Sequence, residues 1–380
     1  MTYLDYKVAQ APTGWRKILH LNWPLVFLLA SVASAGFLML YSVSGGRPHL
    51  WAEPQIERFA VGMVAMIALA FAPIWFWRSI SVPAYVVCCI MLLAVDLVGH
   101  IGMGAQRWLD LGPIKLQPSE LTKIALVLIL AAYYDWLDMD RVSRPLWVLI
   151  PLVLILLPTA LVLKQPDLGT SVMLVAGGGI MMFAAGVSLW YFAAVIAFVG
   201  GLVFAVLESR GTGWQLLHDY QYRRIDTFLD PTSDPLGAGY NITQAQIALG
   251  SGGWSGRGFM QGTQSRLNFL PEKHTDFIFT TVAEDFGFIG TISLLGLYAL
   301  IITFCLASAM SNRDRFGALV TGGIAVTFFL LFGVNMAMVM GLMPVVGVPL
   351  PLVSYGGTQL MILLMAFGIV QSAHVNRVRG

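Results

Sequence analysis

Ten stretches of this chain are each long and apolar enough to cross a lipid bilayer, and that constrains the fold more than any single motif. A bilayer core of ~30 Å takes about 20 apolar residues of helix. Such runs fall at roughly 21–43, 56–77, 80–99, 119–137, 145–164, 168–186, 189–208, 277–309, 317–341 and 357–373. Charged residues make up 11% of the chain and hydrophobic ones 57%, where a soluble domain carries about 25% charged residues. A soluble globular enzyme is excluded, and so is disorder, which needs low hydrophobicity and high charge. A membrane β-barrel is excluded too, because its strands alternate polar and apolar residues. The sequence predicts an all-α, polytopic membrane protein of about ten transmembrane helices with one long extracytoplasmic loop.

Orientation follows from Lys and Arg in the short connections. With the N-terminus inside, the inner segments carry Lys7, Arg16, Lys17, Arg78, Arg141, Arg144, Arg313, Arg315, Arg377 and Arg379. The outer ones carry Arg47, Arg58, Arg107, Lys115 and Lys164. This excess predicts a cytoplasmic tail over 1–20, a membrane domain over 21–373 and a cytoplasmic tail over 374–380. The run from Leu21 to Val43 exceeds the ~7–15 residues of a signal-peptide core and reads as a first span. The long segment 209–276 then lies outside. It holds the Gly-rich stretch GSGGWSGRG at 250–258 and a short amphipathic helix over 241–249. That helix is expected to be capped by Asn241 or Thr243 and ended by Gly250. A net charge of +2 gives no footprint for nucleic acid. No phosphate-binding or dinucleotide-binding glycine pattern occurs on an inner loop. Cys88, Cys89 and Cys305 lie in apolar runs without metal-ligand spacing.

A charge at mid-bilayer costs at least ~2.5–3.5 kcal/mol, so each one requires an account. The first cluster is GAQRWLDLGPIKLQPSELTK, 104–123. There Arg107, Asp110 and Lys115 lie on an outer connection, Glu120 suits a helix start, and Lys123 shares its face. The second is KQPDLGTS, 164–171, where Asp167 can cap the next helix through the Thr170 amide. The third is LPEKHTDFIFTTVAEDFGFIG, 270–290, with Glu272, Lys273, His274 and Asp276 crowding into a span. In a continuous helix Glu284 would share the face of Asp276 about 12 Å deeper, and the adjacent acids Glu284 and Asp285 must face a partner or water. His274 alone is a weak metal ligand and reads first as a structural residue. The fourth is GLMPVVGVPLPLVSYGGTQ, 341–359, whose prolines and glycines break any helix. Such backbone is tolerated at membrane depth only when it is buried in protein or lines a cavity. All four clusters fall on the outer side. A transporter would instead show substrate groups near mid-membrane.

These stretches, in this order, resemble the SEDS (RodA/FtsW) family of bacterial cell-wall proteins, over about 20–373. QGTQSRLNFLPEKHTDFIF and PVVGVPLPLVSYGG resemble its elongation branch, RodA, more than its division branch. The resemblance implies a peptidoglycan glycosyltransferase that polymerises lipid II, a polyprenyl-diphosphate-linked disaccharide-pentapeptide, at the outer face of the bacterial inner membrane. It implies a class B penicillin-binding protein, a transpeptidase, as partner, together with other membrane proteins of the elongation complex. By the same resemblance Asp276 of the HTDF stretch is the essential residue, and Arg107, Glu120, Lys123 and Asp167 are site residues. Lys115, Lys273, His274 and Glu284 complete the set of candidate substrate-binding groups.

The chemistry can be argued from the groups themselves. An anomeric carbon on a diphosphate already has a good leaving group, whereas the acceptor hydroxyl needs a base. One carboxylate with basic residues therefore suffices, unlike hydrolases that use two carboxylates. An α-linked donor going to a β-linked product implies a single inversion, with Asp276 deprotonating the acceptor C4 hydroxyl. Arg107, Lys115 and Lys123 are candidates to hold diphosphate. The sequence demands no cofactor; a divalent cation, Mg or Mn, bridging diphosphate to carboxylates is the one candidate. Two other readings stay open: a flippase for the same lipid, with Asp96, His100 and Asp285 as the hints, and a scaffold without chemistry.

Overall fold

Asn22 starts the first span by capping it, its Oδ1 accepting from the Leu25 amide at 3.3 Å, with Pro24 in the first turn. The computed structural model describes residues 14–102, 105–110, 112, 115–212, 215, 222, 226, 229–230, 238–263 and 272–376. Its helices are α1 (Trp23–Val43), α2 (Ala52–Ala70), α3 (Ile74–Val98), α4 (Pro118–Trp136), α5 (Pro145–Lys164) and α6 (Leu168–Ala184). They continue as α7 (Leu189–Glu208), α8 (Ala238–Ser251), α9 (Ile278–Met310), α10 (Arg315–Val339) and α11 (Gly357–Val375). All ten expected spans are helices. Among the described residues seven of them cross by length and hydropathy alone. The remaining three are α6, which is shorter, and α2 and α4, which carry charged residues. The chain is an all-α, multi-pass membrane protein.

Three local features differ from the sequence reading. The break between the second and third spans falls at 71–73, before Arg78, because Pro73 disfavours helix in the residue before it. Arg78 therefore sits inside α3, bonded to Asp135 at 2.9 Å and Asp314 at 3.1 Å. The connection after α3 is a small antiparallel sheet, β1 (His100–Gly102), β2 (Ala105–Asp110) and β3 (Lys115–Leu116), with Asp110 opposite Lys115. The helix expected from residue 241 begins at Ala238. Gly239, Ile242, Ala245 and Ala248 form its buried stripe. That stripe carries the helix back past Asn241 and Thr243, which lie inside it and do not cap it.

The eighth expected span, 277–309, is also not one helix. Gly287 has φ 63° and ψ −157°, which breaks α9 into two pieces. The glycine-rich loop after α8 supplies the hydrogen bonds that the break removes. Arg257 and Gly258 donate their amides to the carbonyls of Glu284 and Asp285 at 2.9 and 3.1 Å. Phe288 and Ile289 donate theirs to the carbonyls of Gly253 and Trp254 at 2.9 and 3.1 Å. The break is thus packed against protein and satisfied, one of the two conditions under which lipid-depth backbone can leave the helix.

The helices pack as α2 along α11, α3 along α4, α9 along α10 and α1 along α9. The most enclosed are α4, α10 and α11, whereas α7 buries no residue. Lys17 donates to the Phe71 carbonyl at 2.8 Å and to Asn376 Oδ1 at 3.2 Å. The segment before α1, the α2–α3 link and the end of α11 therefore share one face. Helices α2, α4, α6, α9 and α11 all begin at the opposite end.

A Cβ at Gly252 would overlap the Ala283 carbonyl oxygen, whereas a Cβ at Gly250 would meet nothing within 4 Å. Gly252→Ala is expected to destabilise the purified protein by about 1–3 kcal/mol, read as a lowered Tm in detergent. Gly250→Ala is expected to leave the Tm unchanged or raise it.

Candidate active site

At the end of the bundle where α4, α6, α9 and α11 begin, the chain closes round a cavity of about 480 Å³. Arg107 and Trp108 of β2, Glu120 and Lys123 of α4, and Asp167 and Thr170 of α6 form one side. The turn before α9, with Glu272, His274, Thr275 and Asp276, and residues 347–349 and 355–359 leading into the first turn of α11 form the other. Helix N-termini carry a partial positive charge, and four of them converge here, which suits an anionic ligand.

Each wall is built by a local rule. Asp167 caps α6 as expected, its Oδ1 accepting from the Thr170 amide at 3.2 Å and its Oδ2 from Thr170 Oγ1 at 2.9 Å. Lys123 and Glu120, one turn apart on α4, form a buried ion pair at 2.8 Å. Arg107 donates from Nε to the Gln165 carbonyl at 3.2 Å and from Nη2 to the Pro166 carbonyl. That ties the sheet to the α5–α6 reversal and brings two separate sequence clusters together.

Asp276 lies in the turn 272–277, before α9 rather than within it. This turn is held from both sides. Asn335 of α10 donates its amide both to the Asp276 carbonyl at 2.8 Å and to the Val348 carbonyl at 2.7 Å. The Tyr355 amide donates to the His274 carbonyl at 2.9 Å, and Ser354 Oγ donates to the Thr275 carbonyl. Burial pushes the Asp276 carboxyl up to about 6, the nearby Glu272 charge adds to the rise, and a Thr275 hydrogen bond opposes it. His274 stacks on Trp51 with ring centroids 4.6 Å apart. Burial pulls its imidazole below the usual range, against the Glu272 charge, which keeps the ring neutral.

Arg107, Glu120, Lys123, Asp167, His274 and Asp276 are therefore brought together. Three expected site residues are not. Lys115 is exposed on β3, outside the lining. Lys273 is buried next to His274 and also outside it. A continuous helix would put Glu284 on the Asp276 face, but Asp276 precedes the helix. Glu284 Oε1 instead accepts from the Thr263 amide at 2.6 Å and from Thr263 Oγ1 at 3.0 Å. Asp285 accepts from Ser42 Oγ at 2.6 Å and from the amides of Met260 and Gly262 at 3.3 and 3.1 Å. These paired acids anchor the loop that crosses the break in α9. Asn335 is a residue the sequence reading passed over, although an amide within a span is itself a signal. Trp51 carries no such signal, whereas Ser354 and Tyr355 lie in the fourth cluster, 341–359.

Comparison with known proteins is consistent with this architecture. Residues 22–379 match the FtsW/RodA/SpoVE cell cycle protein family. The chain is 43% identical over 366 residues to the peptidoglycan glycosyltransferase MrdB of Escherichia coli K12, covering 96% of each chain. It is 37% identical over 363 residues to the probable peptidoglycan glycosyltransferase FtsW of Trichlorobacter lovleyi, covering 92% of each. Among solved structures it superposes with TM-score 0.78 and 31% identity on a chain of a peptidoglycan synthase complex that coordinates polymerization and crosslinking, covering 93% of this chain and 97% of that one. The crystal structure of the rod shape determining protein RodA of Thermus thermophilus gives TM-score 0.70 and 28% identity, covering 95% and 98%. The class that the fold and site define is a polytopic membrane protein with an anion-suited cavity at one face. The chain belongs to the FtsW/RodA/SpoVE family.

Removing one member of a buried ion pair costs about 3–5 kcal/mol, because the other charge is left without compensation. Lys123→Met is expected to lower the Tm strongly, and Glu120→Gln combined with Lys123→Met to recover most of that loss. Thermal unfolding of the four proteins of this cycle measures the coupling. A double variant whose loss equals the sum of the two single losses would show that the pair is not coupled.

Proposed function

We propose that this chain is a peptidoglycan glycosyltransferase of the elongation type, which polymerises lipid II with inversion at the anomeric carbon. The observation that carries the reading is the half-buried Asp276 carboxyl at the wall of a cavity toward which four helix starts and the cations Arg107 and Lys123 converge. A base for a sugar hydroxyl works best with a pKa near the operating pH, and burial brings Asp276 toward it. Asp276 takes the proton from the acceptor C4 hydroxyl as that oxygen attacks the donor anomeric carbon. The bond from that carbon to the diphosphate breaks, and the lipid diphosphate leaves. Arg107 and the helix N-termini favour the charge that builds on the leaving oxygens.

In this reading the cavity opens at the outer face of the inner membrane. Both termini are cytoplasmic, with 1–20 and 374–380 as tails around a membrane domain over 21–373. A transpeptidase of the penicillin-binding class is the partner. Among the described residues no three His, Cys, Asp or Glu side chains converge as a metal cage. A divalent cation arriving with the diphosphate would need only one or two carboxylates from the protein, and Glu272 on the same wall would be the one to offer it. The flippase reading loses one of its hints, since Asp285 is engaged by Ser42 and two loop amides.

The test is lipid II polymerisation by the purified protein with its transpeptidase partner. Asp276→Asn is expected to lower the rate by about 10²–10⁴-fold while the Tm and partner binding are kept. Full activity in that variant would sink the base assignment. The base must be ionised, so the wild-type rate should fall as pH drops through about 6, rather than near the ordinary carboxylate value of about 4. Lipid translocation into vesicles without glycan product would move the assignment to a flippase.

A further inference from the structure

Gln55 lies in the first turn of α2 and is fully buried. A primary amide taken out of water is costly unless both of its ends are bonded. Gln55 turns both ends to one segment: its Nε2 donates to the Ser354 carbonyl at 2.9 Å, and its Oε1 accepts from the Gly356 amide at 3.4 Å. Ser354 is itself buried, and its hydroxyl accepts from the Leu350 amide at 2.8 Å while donating to the Thr275 carbonyl. Thr275 is the residue before Asp276. About one helical turn before Gln55, Trp51 stacks on His274. The start of α2 therefore reaches the turn 272–277 by two routes, one through the Trp51 ring and one through Gln55 and Ser354. Further along, α2 has no room to slide on α11. A Cβ at Gly62 would lie 2.5 Å from Leu364 Cδ1, and one at Gly368 would lie 2.8 Å from the Met66 carbonyl oxygen.

Neither Gln55 nor Ser354 lines the cavity. What they reach is the backbone beside Asp276. The segment leading into α11 is not helical, and side chains from two helices hold it: Asn335 of α10 at the Val348 carbonyl and Gln55 of α2 at the Ser354 carbonyl. Without Gln55 the Ser354 end loses its hold on α2. A reacting group works only when its supporting contacts keep it within a fraction of an ångström of the productive position. We infer that Gln55 is a positioning residue for the Asp276 carboxylate, acting through Ser354 and the Thr275 carbonyl, so that α2 sets where the base stands. The inference rests on the polymerase reading for the role of Asp276. A purely structural amide would behave like Gln371, at the other end of α11. That side chain is also buried, accepts from the Asn22 amide at 2.8 Å and donates to the Asn22 carbonyl at 3.2 Å. It lies at the face away from the cavity and serves as the matched control.

The experiment uses the full-length protein in detergent with its transpeptidase partner, and reads lipid II polymerisation against pH together with amide hydrogen exchange. Gln55→Met keeps the shape and removes both hydrogen bonds. It is expected to lower kcat by about 10–100-fold with KM little changed. Burial is the main cause that raises the Asp276 carboxyl to about 6. A loosened turn admits water, so the acid limb of the rate should move down toward the ordinary carboxylate value of about 4. Ser354→Ala should move kcat and the limb in the same direction. The double variant should lose less than the product of the two single losses, because both break one route. Gln371→Met should lower the Tm and keep kcat and the limb. Exchange over 272–277 and 350–356 should quicken in Gln55→Met and not in Gln371→Met. A folded Gln55→Met with wild-type kcat and limb overturns the proposal. So does an equal loss in Gln371→Met, which would make both amides structural, and so does a raised KM at wild-type kcat. Should Gln55→Met fail to fold, Ser354→Ala decides by the same readouts. Quickened exchange in Gln55→Met, in a protein whose wild type makes no glycan, would sink the polymerase reading and still support the hold of Gln55 on the turn.

Discussion

Asn335 donates one side-chain amide to two carbonyls, those of Asp276 and Val348, and the geometry of the cavity depends on that pair of bonds. Both carbonyls belong to segments that are not helical, one entering α9 and one looping toward α11. In a bilayer such segments have no water to satisfy them. Asn335, Ser354 and the Tyr355 amide take that place and draw the two segments together. A polar group in a span is costly by itself, but this one removes the larger cost of two unpaired backbone groups. The carboxylate of Asp276 is positioned as a consequence.

The same rule explains the break in α9. Two carbonyls before Gly287 and two amides after it are taken up by the glycine-rich loop. The carboxylates of Glu284 and Asp285 then bind loop amides at 260–263. Backbone and side chain together hold the loop against the helix from opposite directions. Acids deep in a span are thereby explained without substrate, which confines the candidate chemistry to the cavity face. At that face the charges are unevenly engaged. Lys123 and Glu120 neutralise each other, Asp167 is occupied as a cap, and Asp276 has its carboxyl raised by burial and by Glu272. Electrostatic effects are larger in this low-dielectric setting than in water, so a few unmatched groups set what the cavity attracts.

Much of this was legible in the sequence, because apolar length is a local property. A helix crossing a bilayer satisfies its backbone internally, so about 20 apolar residues predict a span without knowledge of any neighbour. Asp167 as the cap of α6 and the Glu120–Lys123 pair are also local, acting over three residues. The sequence by itself thus determined the membrane class, the ten spans, the crowding of unusual polar residues at one face and the family. Only the tertiary structure decided which of those residues meet. Glu284 and Lys115 sit in the same clusters as true lining residues, yet the late start of α9 and a short strand keep them out of the cavity. Arg107 and Asn335, far apart along the chain, instead reach the carbonyls that shape the site. Sequence spacing assigns a face only while a helix stays continuous, and the cavity of this protein is made where helices stop.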